Sequence, residues 1–225
     1  MPDDGSAGPD RALLAARERM VQFDLAGRGI GDGGVLRAMG AVPRECFVPP
    51  DLVDRAYEDR ALPIEEGQTI SQPYIVALTV EALQLTGDER VLDVGAGSGY
   101  AAAVVGRLVA QVWAIERHEL LVERARTNLT AAGVTNVEVI HGDGMAGHPD
   151  AAPYDAIAVA AAAPQVPPAL IDQLADGGRL VIPVGPDGGD QELVRLTRVG
   201  ERVEREHLLP VRFVPLLPGP GLENR

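Results

Sequence analysis

A short apolar run that ends in a glycine-rich turn constrains this chain more than any other feature. Residues 91–94 are apolar apart from Asp93, and Gly95, Gly97 and Gly99 follow at alternate positions. Glycine adopts positive φ and lets a ligand approach the backbone closely. The run therefore predicts a buried strand that turns into a helix, whose N-terminus offers free N–H groups and a positive dipole end.

Strands and helices are predicted to alternate from this turn onward. The predicted strands are 90–94, 111–116, 137–141, 154–159 and 179–184, and the predicted helices are 100–109, 118–132 and 168–174. This alternation is typical of a parallel sheet covered by helices on both faces. Beyond it, residues 192–199 and 202–210 alternate in polarity and predict a hairpin at Gly200, and residues 211–216 predict an extended segment.

The part before the sheet is predicted to be helical and irregular. Apolar spacing predicts helices over 11–28, 33–39 and 74–85, with loops and turns over 42–72. We therefore divide the chain into a disordered tail (1–10), an N-terminal helical and substrate-side segment (11–86), a Rossmann-like core (87–217) and a C-terminal tail (218–225).

Composition narrows the classes of partner. The formal net charge of −13 disfavours nucleic acid and acidic membrane surfaces as partners. Cys46 is the only cysteine, the start has no apolar signal region, and no apolar run reaches the roughly 20 residues of a spanning helix. The four histidines lack metal-ligand spacing, so no metal is expected. We expect a soluble, cytoplasmic monomer.

The glycine spacing distinguishes between cofactors. Dinucleotide sites favour G-x-G-x-x-G, but this chain has Tyr100 at the position of the third dinucleotide glycine. A nicotinamide-dependent dehydrogenase is therefore disfavoured. The turn suits a ligand with an amino-acid tail, such as S-adenosylmethionine.

Two acidic residues follow later predicted strands and are candidate ligand contacts. Glu116 lies about twenty residues after the first glycine, where related folds place an acid for ribose hydroxyls. The alternative is an ion pair with Arg117 or Arg124. Asp143, within Gly142-Asp143-Gly144, could accept a hydrogen bond from an adenine amino group, and its alternative is an Asx turn.

In the segment 68–74, side chains with hydroxyl and amide groups precede a proline that could begin a helix. Ser71 in this segment is interpreted either as a cap or turn residue, or as part of a site. No G-x-S-x-G sequence surrounds Ser71, so a hydrolase nucleophile is not indicated.

Several motifs, taken in order, resemble the protein-L-isoaspartate O-methyltransferases over about residues 17–217. They are Ala41-Val42-Pro43-Arg44 with Phe47-Val48-Pro49, Tyr57-Glu58-Asp59, residues 68–74, residues 91–100, residues 141–144, Tyr154-Asp155-Ala156-Ile157 leading to residues 161–164, Gly177-Gly178-Arg179-Leu180 with Pro183-Val184-Gly185, and residues 211–216. The chain departs from the family pattern at Asp24 and Ala160.

The resemblance implies a fold and a set of contacts. The fold is α/β, of the class I S-adenosylmethionine-dependent methyltransferases, with a Rossmann-like, mostly parallel seven-stranded sheet and a family-specific order of its last strands. Ser71 is the implied catalytic residue. The implied cofactor contacts are Ile70, Ser71, Asp93, Gly95, Ala96, Gly97, Gly99, Tyr100, Glu116, Arg117, Gly142, Asp143 and Gly144. The implied substrate contacts are Thr69, Ser71, Ala161, Ala162, Ala163, Pro164, Val211, Arg212, Phe213 and Val214.

The implied activity is methyl transfer from S-adenosylmethionine to the carboxylate of an isoaspartyl or D-aspartyl residue in a damaged protein, which starts repair through a succinimide. Two alternatives keep the fold. One is a methyltransferase for an aspartate of a ribosomal peptide natural product, and the other is a non-catalytic homologue that only binds the cofactor.

Overall fold

The structure is a computed structural model that describes residues 9–219. Its centre is a seven-stranded sheet. In chain order its strands are β3 (Arg90–Val94), β4 (Gln111–Glu116), β5 (Val137–His141), β6 (Tyr154–Val159), β7 (Leu174–Val184), β8 (Gln191–Val199) and β9 (Arg202–Val211). Their spatial order is β5-β4-β3-β6-β7-β8-β9. The helices between them are α4 (Tyr100–Gly106), α5 (Glu119–Ala131) and α6 (Pro168–Asp172).

Five neighbouring strands, β5 to β7, run parallel, which confirms the predicted mostly parallel sheet. The chain steps from β3 outward through β4 to β5, and then returns to place β6 on the other side of β3. Ligands of open α/β sheets bind at this kind of reversal, beyond the carboxyl ends of the strands. The glycine-rich turn lies at this point.

The last two strands run antiparallel to their neighbours and form the predicted hairpin at Gly200, where Val199 faces Arg202. β7 is longer than the predicted strand 179–184, because it begins at Leu174 and passes through Gly177 and Gly178 near a register shift against β6. Glycines inside a strand commonly mark such an irregularity. Because Gly177 and Gly178 interrupt the apolar pattern, the sequence did not predict the first half of β7.

The N-terminal part packs helices against the sheet. α1 (Pro9–Arg19) continues as a π-helical segment (Met20–Leu25) and a 3-10 turn (Ala26–Arg28), so the predicted helix 11–28 changes its winding. Gly29 ends this run with a φ of 102°. α2 (Gly33–Ala41) begins at Asp32, whose carboxylate accepts the Val35 N–H at 2.9 Å.

The segment 42–72 was predicted as loops and turns only, and that prediction was incomplete. It holds three 3-10 helices (Arg44–Phe47, Pro50–Arg55 and Glu65–Gly67) and a hairpin of β1 (Leu62–Pro63) with β2 (Thr69–Ile70). α3 (Pro73–Ala82) follows. This hairpin places Thr69 to Ser71 beside the glycine-rich turn.

The predicted tails fall mostly outside the described residues. Of the predicted tail 1–10, Pro9 and Asp10 already belong to α1, and residues 1–8 lie outside. Of 218–225, only 218 and 219 are described. Within residues 9–219, no helix combines the length and the apolar character that crossing a membrane requires.

Candidate active site

A cavity of about 290 Å³ lies at the carboxyl ends of β3 and β4. Its walls are the glycine-rich turn, the end of the β1–β2 hairpin, the segment after β6 and the segment after β9. This volume is at the lower end of the roughly 300–1,000 Å³ that small-molecule sites span. The cavity therefore coincides with the site that the strand order indicates.

The three glycines of the turn have positive φ and different tasks. The N–H groups of Gly95 and of the next residue both donate to the Ile115 carbonyl, at 2.9 and 3.0 Å, which fixes the turn to β4. Gly97 has a φ of 53° and lines the cavity. A Cβ on Gly99 would lie 3.3 Å from the Cβ of Ala125, so Gly99 permits α4 to pack closely on α5 and does not line the cavity.

Glu116 is held by backbone N–H groups at the rim of the cavity. One carboxylate oxygen accepts the Gly97 N–H at 2.9 Å, and the other accepts the His118 N–H at 3.0 Å. Neither Arg117 nor Arg124 forms the alternative ion pair with Glu116, and Arg124 instead binds Glu65 at 2.9 Å. Each oxygen keeps a lone pair that could accept a hydrogen bond from a hydroxyl, so the geometry suits the predicted ribose contact.

Asp93 is a buried carboxylate without a partner. Only 1% of its surface is exposed, and neither oxygen accepts a hydrogen bond from the described residues. Burial and, secondarily, the negative charge of Glu116 raise the pKa of Asp93 to about 7. Asp93 lines a second cavity of about 30 Å³ that also touches Ser71 and Phe213. The site thus lacks a positive or hydrogen-bond-donating group beside Asp93.

Asp93→Asn is expected to stabilise the ligand-free protein by about 1–3 kcal/mol at pH 8.5, because it removes a buried, unpaired charge. The folded-state pKa is raised, so the stability linked to Asp93 is present at low pH and is lost as pH rises through about 7. The gain should therefore shrink at pH 5.5. Urea unfolding at both pH values measures it, with the exposed Asp187→Asn as control. A gain that is equal at both pH values would contradict this origin.

Asp143 forms the Asx turn that the sequence offers as the alternative to an adenine contact. Its Oδ1 accepts the Met145 N–H at 2.8 Å, which is an Asx turn, and neither Asp143 nor Gly142 lines the cavity. Gly144 does line it, and a Cβ there would lie 2.6 Å from Cγ1 of Val94. The adenine contact of Asp143 stays a prediction.

Ser71 lies where the two cavities meet, since it lines both of them. The alternative role as a helix cap does not fit, because Gln72 is the N-cap residue of α3 and its side chain caps nothing. The Ser71 hydroxyl is therefore available to a ligand.

The segment after β9 closes the opposite wall. The Ala162 N–H donates to the Val214 carbonyl at 2.8 Å, and the Leu216 N–H donates to the Ala162 carbonyl at 2.7 Å. Val214 and Leu216 line the cavity, while Ala162 holds them in place from behind. This wall is apolar.

The predicted site residues thus fall into three groups. Those that line the main cavity are Thr69, Ile70, Ser71, Gly95, Ala96, Gly97, Tyr100, Glu116, Arg117, Gly144, Ala161 and Val214. Asp93 and Phe213 line only the smaller cavity. Those that line neither are Gly99, Gly142, Asp143, Ala162, Ala163, Pro164, Val211 and Arg212.

Further lining residues were not predicted as contacts. They are Gly67, Gln68, Val76, Val94, Ser98, Ala101, Ile115, His118, Ala160, Pro215, Leu216 and Leu217. Most of them adjoin a predicted residue in sequence, which is the signal that could have found them. Val76 lies inside α3, and only the packing of that helix brings it to the cavity.

Known proteins resemble this chain over most of its length. Residues 16–220 match the family model for protein-L-isoaspartate(D-aspartate) O-methyltransferase (PCMT). A protein-L-isoaspartate O-methyltransferase from Methylorubrum extorquens (strain PA1) is 60% identical over 214 residues, 95% of this chain and 92% of its own.

Two solved structures share the fold. One named protein-L-isoaspartate O-methyltransferase has a TM-score of 0.80 at 31% identity, over 88% of this chain and 65% of its own. One from Plasmodium falciparum, described as a protein-L-isoaspartate O-methyltransferase in complex with S-adenosyl-L-homocysteine, has a TM-score of 0.76 at 27% identity, over 89% of this chain and 98% of its own. The sheet is thus the Rossmann-like sheet of class I methyltransferases. The chain belongs to the protein-L-isoaspartate(D-aspartate) O-methyltransferase family.

Proposed function

We propose that this chain transfers a methyl group from S-adenosylmethionine to the free carboxylate of L-isoaspartyl or D-aspartyl residues in damaged proteins. The observation that carries the proposal is a single cavity that joins the glycine-rich turn and Glu116 to Ser71 and the apolar wall of Val214. One end of the cavity suits the cofactor, and the other suits a carboxylate.

The residues present fit the cofactor. Glu116 offers free lone pairs for a ribose, and Gly95 and Gly97 leave room for a close approach to the turn. Asp93 is an orphaned buried acid, which an ammonium group or an ordered water beside it would satisfy. When bound, S-adenosylmethionine supplies a methyl group on a positively charged sulfonium.

The protein has no proton to remove from the acceptor. A carboxylate is already ionised at neutral pH, since the pKa of an unperturbed aspartyl carboxyl is about 4. The task of Ser71 and of the neighbouring Thr69 is therefore to hold the carboxylate and orient one of its oxygens. Orientation of this kind is worth up to about 7–11 kcal/mol.

The apolar wall assists in a second way. Methyl transfer from a sulfonium to a carboxylate cancels a positive and a negative charge, so a polar, water-filled site would favour the separated charges over the transition state. Ala161, Val214 and Leu216 line this end of the cavity with apolar side chains, which would keep water away from the reacting groups. The methyl transfer leaves S-adenosyl-L-homocysteine as product. The adjacent backbone nitrogen would then attack the methyl ester and expel methanol to form a succinimide, whose hydrolysis returns some normal aspartate.

Incubation with S-adenosylmethionine labelled in the methyl group tests the proposal. We expect base-labile methyl esters on a peptide that carries isoaspartate, and at least about 100-fold fewer on the same peptide with aspartate. That ratio corresponds to about 2.8 kcal/mol of discrimination, since each 1.4 kcal/mol is about tenfold. Transfer to the aspartyl peptide alone, or no transfer to either peptide, would contradict the proposal.

We further propose that the protein acts in the cytoplasm as a monomer, on isoaspartyl peptides and proteins and without a nucleic-acid or membrane partner. The net charge of −13 and the single cysteine support this setting.

A further inference from the structure

Arg44 is a fully buried cation whose hydrogen bonds go to carbonyl groups and not to carboxylates. None of its surface is exposed. Its Nε donates to the Ala56 carbonyl at 2.7 Å, and its Nη2 donates to the Ser71 carbonyl at 2.8 Å. Its Nη1 has no hydrogen-bond partner among residues 9–219, and the guanidinium lies 4.7 Å from the centre of the Tyr100 ring.

Such an arginine is a costly way to fill a core. Desolvating a guanidinium costs several kcal/mol, and apolar side chains of similar volume often replace buried ionic groups without loss of stability. Burial also lowers the pKa of Arg44. What an apolar side chain could not supply is the directed pair of hydrogen bonds that ties the backbones of Ser71 and Ala56 to the 3-10 helix at 44–47.

Asp59 holds the same segment from its other end. Its Oδ2 accepts the Gln72 side-chain amide at 2.7 Å, and its Oδ1 accepts the Tyr74 N–H at 3.1 Å, in the first turn of α3. Arg28 forms an ion pair with Asp59 and lies 3.9 Å from the centre of the Tyr74 ring. The segment 71–74 is thus fixed at the carbonyl of its first residue and at the N–H of its last.

Neither anchor reaches the reacting groups, because Arg44 and Asp59 line neither cavity. Arg44 does touch both sides of the site, since it binds the carbonyl of Ser71 and lies over Tyr100, which begins α4 and lines the main cavity. A shift of the Ser71 backbone would move its hydroxyl relative to the cofactor side.

We propose that Arg44 and Asp59 are positioning residues, which clamp the segment 71–74 so that the Ser71 hydroxyl meets the acceptor carboxylate in a fixed place. This inference rests on the proposed function. A misplacement of about 1 Å can cost about 100-fold in rate, so the clamp acts on turnover and hardly on cofactor affinity.

Arg44→Lys tests the clamp, because lysine keeps the charge but has no planar fork to bind two carbonyls at once. We expect kcat for the isoaspartyl peptide to fall about 10- to 100-fold, with KM and the Kd for S-adenosyl-L-homocysteine within about threefold of wild type, since orientation and not binding is lost. Arg107→Lys is the matched control, because exposed Arg107 also binds a backbone carbonyl, that of Ala132. A folded Arg44→Lys with wild-type kcat overturns the proposal.

A double-mutant cycle separates positioning from general damage to the fold. If Arg44 acts through Ser71, Arg44→Lys should cost less than about threefold when Ser71 is already alanine, whereas a merely structural role predicts independent, multiplying losses. Multiplying losses would overturn the proposal. Asp59→Asn serves as the second variant, should Arg44→Lys not fold. Asn keeps one oxygen for the Tyr74 N–H, but it replaces the oxygen that accepts the Gln72 amide with an NH₂ donor and loses the charge that binds Arg28. The hold on the segment is thereby weakened, and we expect the same kcat-selective loss.

Amide hydrogen exchange of the substrate-free protein gives a readout that needs no activity. We expect faster exchange in Arg44→Lys and Asp59→Asn confined to about residues 70–76, because the clamp sets the local opening of this segment. Unchanged exchange there overturns the clamp. If the wild-type protein methylates no isoaspartyl peptide, the proposed function fails, and hydrogen exchange alone then decides whether the clamp exists.

Discussion

Glu116→Ala is expected to weaken the binding of S-adenosyl-L-homocysteine at least about 100-fold, a loss of about 3 kcal/mol. The change removes the carboxylate that would accept the ribose hydroxyls, and it also leaves the N–H groups of Gly97 and His118 without their acceptor. The glycine-rich turn then loses one of its fixed points, so both the contact and the shape of the site suffer. Isothermal titration calorimetry measures the affinity.

Two variants sharpen this result. Glu119→Ala, three residues later and exposed at the start of α5, should bind like wild type. Glu116→Gln should be intermediate, because its amide oxygen can accept one of the two N–H groups and its NH₂ cannot accept the other. Loss of the negative charge in either Glu116 variant should also lower the pKa of Asp93, since that charge contributes to raising it. An affinity within about fivefold of wild type for Glu116→Ala would remove Glu116 from the cofactor site.

Ser71→Ala is expected to lower kcat for the isoaspartyl peptide about 100-fold while the Kd for S-adenosyl-L-homocysteine stays within about threefold. The loss of a group that acts mainly in the transition state lowers kcat and kcat/KM together. The hydroxyl belongs to no cap of α3 and lies where the main cavity meets the smaller one, so it is free to hold an acceptor carboxylate. Initial rates with labelled cofactor measure kcat and KM.

Thr79→Val is the control for Ser71→Ala. Thr79 also carries a hydroxyl at the smaller cavity but does not line the main one, so its kcat should stay within about threefold of wild type. If Ser71→Ala loses cofactor affinity and turnover to the same degree, Ser71 serves the cofactor and not the acceptor.

Local sequence patterns predicted much of the fold. The apolar runs 90–94, 111–116, 137–141 and 154–159 predicted four strands at their observed bounds, because short, largely apolar runs between turn residues are typical of the strands of a parallel sheet. The order of β8 and β9 could not be derived from residues, since it depends on which edge is free after β7. The β1–β2 hairpin was not predicted, because strands of two residues are too short to show the alternation of apolar and polar residues.

The site was less accessible to sequence reasoning. Spacing found Glu116, but not that the N–H groups of Gly97 and His118 hold it. Asp143 fitted both interpretations of its motif, and the Asx turn is what forms. The sequence identifies Arg44 only as part of a motif, because arginine is usually exposed and nothing local reveals that it binds the Ser71 carbonyl 27 residues away.

The cavity is assembled from distant parts of the chain. The order of synthesis therefore sets the order in which the parts of the site become available in a newly made protein. The glycine-rich turn and Glu116 are synthesised before the wall at Val214 to Leu217, which follows the whole β8–β9 hairpin. At about 5–20 residues per second, synthesis from Glu116 to Val214 takes roughly 5–20 s. A growing chain on the ribosome therefore carries part of the cofactor side without an acceptor wall. We expect such a chain to lack methyltransferase activity until residues 214–217 have been translated and have folded against the cavity.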